Sequence, residues 1–98
     1  MNGAANQYRL KLQSYMPKLR KEYRVASLAL FGSYVRGTQR SDSDLDVLVT
    51  FIEMPSLFKL IELENALSDL LGVKVDLVVR ESLKPRIGER IRQELIPV

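Results

Sequence analysis

The sequence predicts an α/β (α+β) fold. Three short apolar runs carry this reading: residues 25–31, 46–52 and 73–79 have strand length and β-branched content. Segments of helical periodicity lie before, between and after them. The resulting order is helix, strand, strand, helix, strand, helix. The crossover through residues 46–79 predicts parallel neighbours for its two strands.

The first helix is expected over residues 5–24, where Tyr8, Leu12, Tyr15, Leu19 and Tyr23 recur at steps of three and four. Pro17 interrupts the stripe, predicting a kink or two short helices. Lys18, Arg20, Lys21 and Arg24 give this segment a basic, solvated face. The first strand ends at Gly32. Residues 32–45 are polar and long for a hairpin, the kind of connection in which function concentrates. Residues 55–71 read as the crossover helix, with Leu57, Leu60, Ile61, Leu67, Leu70 and Leu71 at helical spacing. Pro55 suits its first turn and Gly72 its C-terminal cap. In the last helix Leu83, Ile87, Ile91 and Leu95 step by four, with Ser82 as N-cap and Pro85 near the start.

Ninety-eight residues fit one domain, 1–98. Fifteen Lys and Arg against twelve Asp and Glu leave a formal charge of +3, a mild excess that suits solubility. There is no Cys, His or Trp. Their absence excludes disulfide scaffolds, thiolate nucleophiles, zinc sites built on Cys or His, and Ser-His-Asp triads. Chemistry must run on carboxylates, hydroxyls, Lys, Tyr, backbone amides and borrowed metal ions. Residues 1–7 lack a basic segment followed by an apolar one, and no apolar run approaches the ~20 residues that span a bilayer. A cytoplasmic protein is expected.

Residues 31–49 carry three chemical signals. Gly32-Ser33 follows a strand directly, so backbone amides and a hydroxyl can approach a phosphate there; a plain turn is the alternative. Asp44 and Asp46 lie two apart at the head of a strand and so face one spot. Paired carboxylates are unfavourable unless a cation separates them, and Mg²⁺ suits an all-oxygen site completed by phosphates. Asp42 reads as a solvated turn residue. Asp76 interrupts an apolar strand, which calls for a metal or a strong donor, or else for an exposed sheet edge. If the two strands are neighbours, three carboxylates converge. Together these signals describe a site for a metal-bound triphosphate.

The composite resembles the polymerase-β-type nucleotidyltransferase superfamily: Gly32-Ser33, ten residues, Asp44-Leu45-Asp46, then Asp76. Within it, Phe31-Gly32-Ser33-Tyr34-Val35-Arg36-Gly37, Ser43 through Val49, Val75 through Val78 and the tail from Leu83 to Val98 most resemble the minimal nucleotidyltransferases (MNT). The resemblance covers nearly the whole chain. It implies a small mixed β-sheet flanked by helices, with Asp44, Asp46 and Asp76 as catalytic and metal ligands for two Mg²⁺ ions. Asp76 would also accept the proton of the attacking hydroxyl. Gly32 and Ser33 would hold the phosphates of ATP. Arg36 matches the family pattern as a phosphate contact; Arg40 shares its loop without a place in that pattern. The resemblance further implies an antitoxin that transfers AMP from ATP to a tyrosine of a HEPN-domain ribonuclease toxin. Two other roles stay open: an antitoxin that masks its toxin by binding alone, and a nucleotidyltransferase for RNA ends or a small molecule. The scattered basic residues, at 18–24, 36–40 and 84–92, favour a protein acceptor over nucleic acid.

Overall fold

The computed structural model describes residues 3–98. Met1 and Asn2, part of the stretch read for targeting signals, lie outside the described residues. In chain order the elements are α1 (Gly3–Tyr23), β1 (Val25–Phe31), α2 (Ser33–Arg36), β2 (Leu45–Phe51), α3 (Leu57–Leu71), β3 (Val75–Val79), a 3₁₀ turn (Arg80–Ser82), α4 (Pro85–Glu94) and β4 (Ile96–Pro97). The strands form one mixed sheet in the order β3-β2-β1-β4. β1 pairs antiparallel with β2 and β4. β2 and β3 run parallel, as the crossover through α3 requires. The expected α/β fold, with a small mixed sheet flanked by helices, is borne out.

One sheet face is the core. Leu45, Val47 and Val49 of β2 are fully shielded from solvent, as are Leu12 of α1 and Leu63 and Leu67 of α3. Each such side chain contributes about 1.5–3 kcal/mol by leaving water. The period of two then sends Asp46, Leu48 and Thr50 to the opposite face. A bulge in β1 between Val25 and Ser27 shifts its register by one. Val25 can therefore share the buried side with Leu28 and Leu30 despite its opposite parity. Beyond the bulge Ser27, Ala29 and Phe31 stand opposite Thr50, Leu48 and Asp46. α4 approaches this second face. A cleft of about 360 Å³ runs between it and the sheet, floored by Ser27, Ala29, Leu48 and Thr50.

Several local expectations are corrected. Of the two outcomes open at Pro17, two short helices are excluded: α1 is one helix, and Pro17 and Gln13, whose carbonyl loses its helical donor, are both exposed to water. Its buried stripe is Ala5, Leu12 and Leu19, whereas Tyr15 is on the surface. Pro55 precedes α3: Ser56 is the N-cap, its Oγ accepting the Lys59 N–H. Gly72 closes α3 in the left-handed conformation, as expected. Ser82 lies in the 3₁₀ turn, and α4 starts at Pro85 with Lys84 as its cap residue. α4 also ends before Leu95 and buries no side chain. No helix among the described residues is long and apolar enough to cross a membrane.

Candidate active site

The β1–α2 junction is built on Gly32. Its φ of +83° and ψ of −156° belong to backbone that only glycine adopts without strain. Its carbonyl accepts the N–H groups of Val35 and Arg36, which starts the single turn of α2 at Ser33. Gly37 ends that turn in the left-handed region and donates to the Ser33 carbonyl. Buried Tyr34 packs edge-on against Tyr8 of α1, ring centroids 5.6 Å apart, and ties the turn to the body. Ser33 is thereby held, half-buried, at the end of β1.

The following loop is closed locally. The Ser43 hydroxyl accepts the Arg40 N–H, and the Ser43 N–H returns to the Arg40 carbonyl. Arg40 serves here through its backbone, and the residue is exposed. The Leu45 N–H then donates to the Lys74 carbonyl, which opens the parallel ladder. Asp44 stands immediately before β2, 4.0 Å from the Lys74 ammonium.

Asp46 and Asp76 are register partners on parallel strands and so share a face. The three expected carboxylates are neighbours: Asp46 feels the charges of both Asp76 and Asp44. Burial, followed by these two like charges, pushes the Asp46 carboxyl up to about 6. Among the described residues, no group of three or more His, Cys, Asp or Glu stands already gathered as a metal cage. The donor set nonetheless suits a hard divalent cation: it is all oxygen, it is mutually repulsive, and a cation would relieve that repulsion.

Asp76 is exposed, because β3 is the sheet edge. It thus needs no internal cation to be tolerated, and its strand is secured from the helix side. The Ser68 hydroxyl accepts the Val75 N–H, and the Glu64 carboxylate accepts the Leu77 N–H. The two α3 side chains cap amides flanking Asp76 that would otherwise be unpaired edge groups.

Two further residues reach the site from α4, unpredicted by sequence spacing. Glu94 Oε2 accepts the Gly32 N–H at 3.0 Å, and Glu94 Oε1 accepts from Arg36 Nη1 at 2.7 Å. Burial raises this carboxyl, but the hydrogen bonds from Arg36 and Gly32 outweigh it and hold Glu94 below the usual carboxylate range. Arg90 joins Phe31, Gly32, Arg36, Asp46 and Glu94 in lining a cleft of about 190 Å³. The sequence signal for Glu94 was only a carboxylate on an amphipathic terminal helix.

Residues 12–98 match the nucleotidyltransferase domain family. The chain belongs to this family. It is a nucleotidyltransferase and shares 47% identity over 87 residues with the protein adenylyltransferase MntA of Thermococcus cleftensis, covering 89% of this chain and 88% of that protein. Among solved structures, one assigned as a minimal nucleotidyltransferase superimposes with a TM-score of 0.79 at 36% identity, covering 96% of this chain and 95% of that one. A chain from a toxin–antitoxin structure with AMP-PNP gives 0.74 at 27% identity, over 91% of this nucleotidyltransferase and 70% of the other chain. Family membership accounts for the observed sheet.

Proposed function

We propose that this nucleotidyltransferase is an antitoxin that transfers AMP from Mg-ATP to a tyrosine hydroxyl of a HEPN ribonuclease toxin and thereby neutralises it. The observation that carries the reading is the in-register pair Asp46–Asp76, with Asp44 beside it and the Gly32 turn against Asp46. Support for the adenylyl donor and the protein acceptor comes from the Thermococcus relative named as a protein adenylyltransferase. The toxin–antitoxin chain with AMP-PNP supports a nucleotide substrate and a toxin partner. The HEPN class of the toxin and the tyrosine acceptor follow from the MNT resemblance of the sequence.

Asp44 and Asp46 are assigned to two Mg²⁺ ions, with Asp76 completing one site. Bound Mg²⁺ supplies charge neutralisation for the attacking and leaving oxygens and acidifies the acceptor hydroxyl. Ser33 and the Gly32 turn hold the outer phosphates, and Arg36 forks onto their oxygens. The acceptor oxygen attacks the α-phosphorus in line, the bond from that phosphorus to the bridging oxygen breaks, and pyrophosphate leaves. Asp76, exposed at the sheet edge, takes the acceptor proton and can pass it to water.

The test is intact-mass analysis of the chain incubated with each Mg-NTP and the product of the neighbouring gene. A gain of AMP on the partner, lost in Asp44→Ala and Asp46→Ala, is the expected result. A stable complex without mass gain overturns transfer in favour of masking by binding, and label on RNA alone overturns the protein acceptor.

A further inference from the structure

Glu94 occupies the groups that a triphosphate needs. One oxygen takes the Gly32 N–H and the other takes Arg36, so a single carboxylate mimics a phosphate's two-point contact at the turn after β1. The helix that delivers it is weakly held, since none of the side chains of α4 is buried. The chain just beyond Glu94 is anchored independently. β4 pairs with β1 through Leu30 and Ile96, the Val98 N–H donates to the Leu28 carbonyl, and Gln13 Nε2 donates to the Val98 carbonyl. Leu83, in extended backbone, and Leu95 flank α4 on either side.

We propose that α4 is a built-in latch: Glu94 closes the phosphate seat in the nucleotide-free enzyme, and nucleotide binds by displacing Glu94 and taking over Arg36. The proposal rests on the reading of Gly32, Ser33 and Arg36 as the phosphate seat. The single Gly32 N–H is taken by Glu94, and a second anion beside the Glu94 carboxylate would repel it, so closure and nucleotide binding oppose each other. The observed Kd is therefore the open-state Kd divided by the fraction of molecules that are open. Release leaves β4 in the sheet and swings only the segment between Leu83 and Leu95. Arg90, which lines the same cleft from α4, moves out with Glu94. The latch gives the enzyme a resting state in which Arg36 is neutralised and the cleft is closed to adventitious anions.

The experiment uses the full chain and Mg²⁺ with α,β-methylene-ATP, which binds but cannot transfer AMP. Binding is measured by calorimetry for the wild type, Glu94→Gln, Glu94→Ala and Ser33→Ala, with hydrogen exchange followed over residues 85–94. Both Glu94 variants are expected to bind roughly tenfold tighter, the equivalent of about 1.4 kcal/mol for removing one charge-assisted hydrogen bond from the closed state. Exchange in α4 is expected to rise when the wild type binds nucleotide and to be high already in Glu94→Ala. Equal or weaker binding by both Glu94 variants, or α4 protection unchanged by nucleotide, overturns the latch. If Ser33→Ala weakens binding while the Glu94 variants do not tighten it, the latch alone fails. If Ser33→Ala binds as the wild type does, the phosphate-seat reading fails and the latch falls with it.

Discussion

Gly32 and Asp46 are packed so closely that a Cβ on Gly32 would stand 2.9 Å from the carboxyl carbon of Asp46. The absent side chain is what admits the carboxylate to the β1–α2 turn. Gly32→Ala therefore meets two penalties: a φ of +83° costs an alanine about 1–3 kcal/mol, and the methyl displaces Asp46. The variant is expected to melt several degrees lower and to lose AMP transfer even where it remains folded. Thermal melts and transfer assays below the melting point separate the two effects.

Asp46 predicts a particular response to pH and metal. Its carboxyl is raised from 3.8 to about 6, by burial first and by Asp76 and Asp44 next. The folded chain then binds this proton more tightly than the unfolded chain does. Its contribution therefore falls as pH rises between those values and is flat above them. Without divalent cation, Asp46→Asn should be more stable than the wild type at pH 7, by on the order of 1–2 kcal/mol after solvent screening, and nearly equal to it at pH 4. Mg²⁺ should raise the wild-type melting point at pH 7, much less at pH 5, and hardly at all in Asp46→Asn. Melts at the three pH values, with Mg²⁺ or EDTA, check all of this.

The Asp46–Asp76 pairing was legible because both its terms are local. Alternation along a strand sets which face a residue takes, and a crossover of this length makes the strands parallel. The strand order was not legible, so the exposure of Asp76 at an edge was one of two readings. β4 escaped because two residues carry no periodicity, and one of them is proline. Pro17 left a kink or a break open, and α1 continues through it as one helix. Glu94 was invisible for a different reason: its partners Gly32 and Arg36 lie some sixty residues away, and no spacing rule reaches that far.

The caps on β3 predict a stability effect that carries into the site. Glu64→Ala leaves the Leu77 N–H without its acceptor, a loss of about 1 kcal/mol for a partly buried bond. Glu64→Gln retains an acceptor oxygen and should recover roughly half of it, since the charge assistance is gone. Hydrogen exchange at Leu77 should accelerate in the order wild type, Gln, Ala. The maximal transfer rate should decline with it, because the neighbouring Asp76 becomes less well held.

Asp76 itself separates proton acceptance from folding. Asp76→Asn keeps the shape of the side chain and removes one of the two like charges that burden Asp46. The fold should consequently gain slightly in thermal stability at pH 7. Transfer should nonetheless fall by roughly 10²–10⁴-fold, the usual worth of a positioned base. The loss should appear in kcat, because Asp76 lies on β3 while the residues assigned to the phosphates, Gly32, Ser33 and Arg36, lie at and after the end of β1. Asp44→Ala should instead weaken binding of Mg-nucleotide as well as turnover. Single-turnover transfer rates set beside calorimetric affinities distinguish the two patterns. An Asp76→Asn enzyme with unchanged kcat would reduce Asp76 to a spectator at the sheet edge.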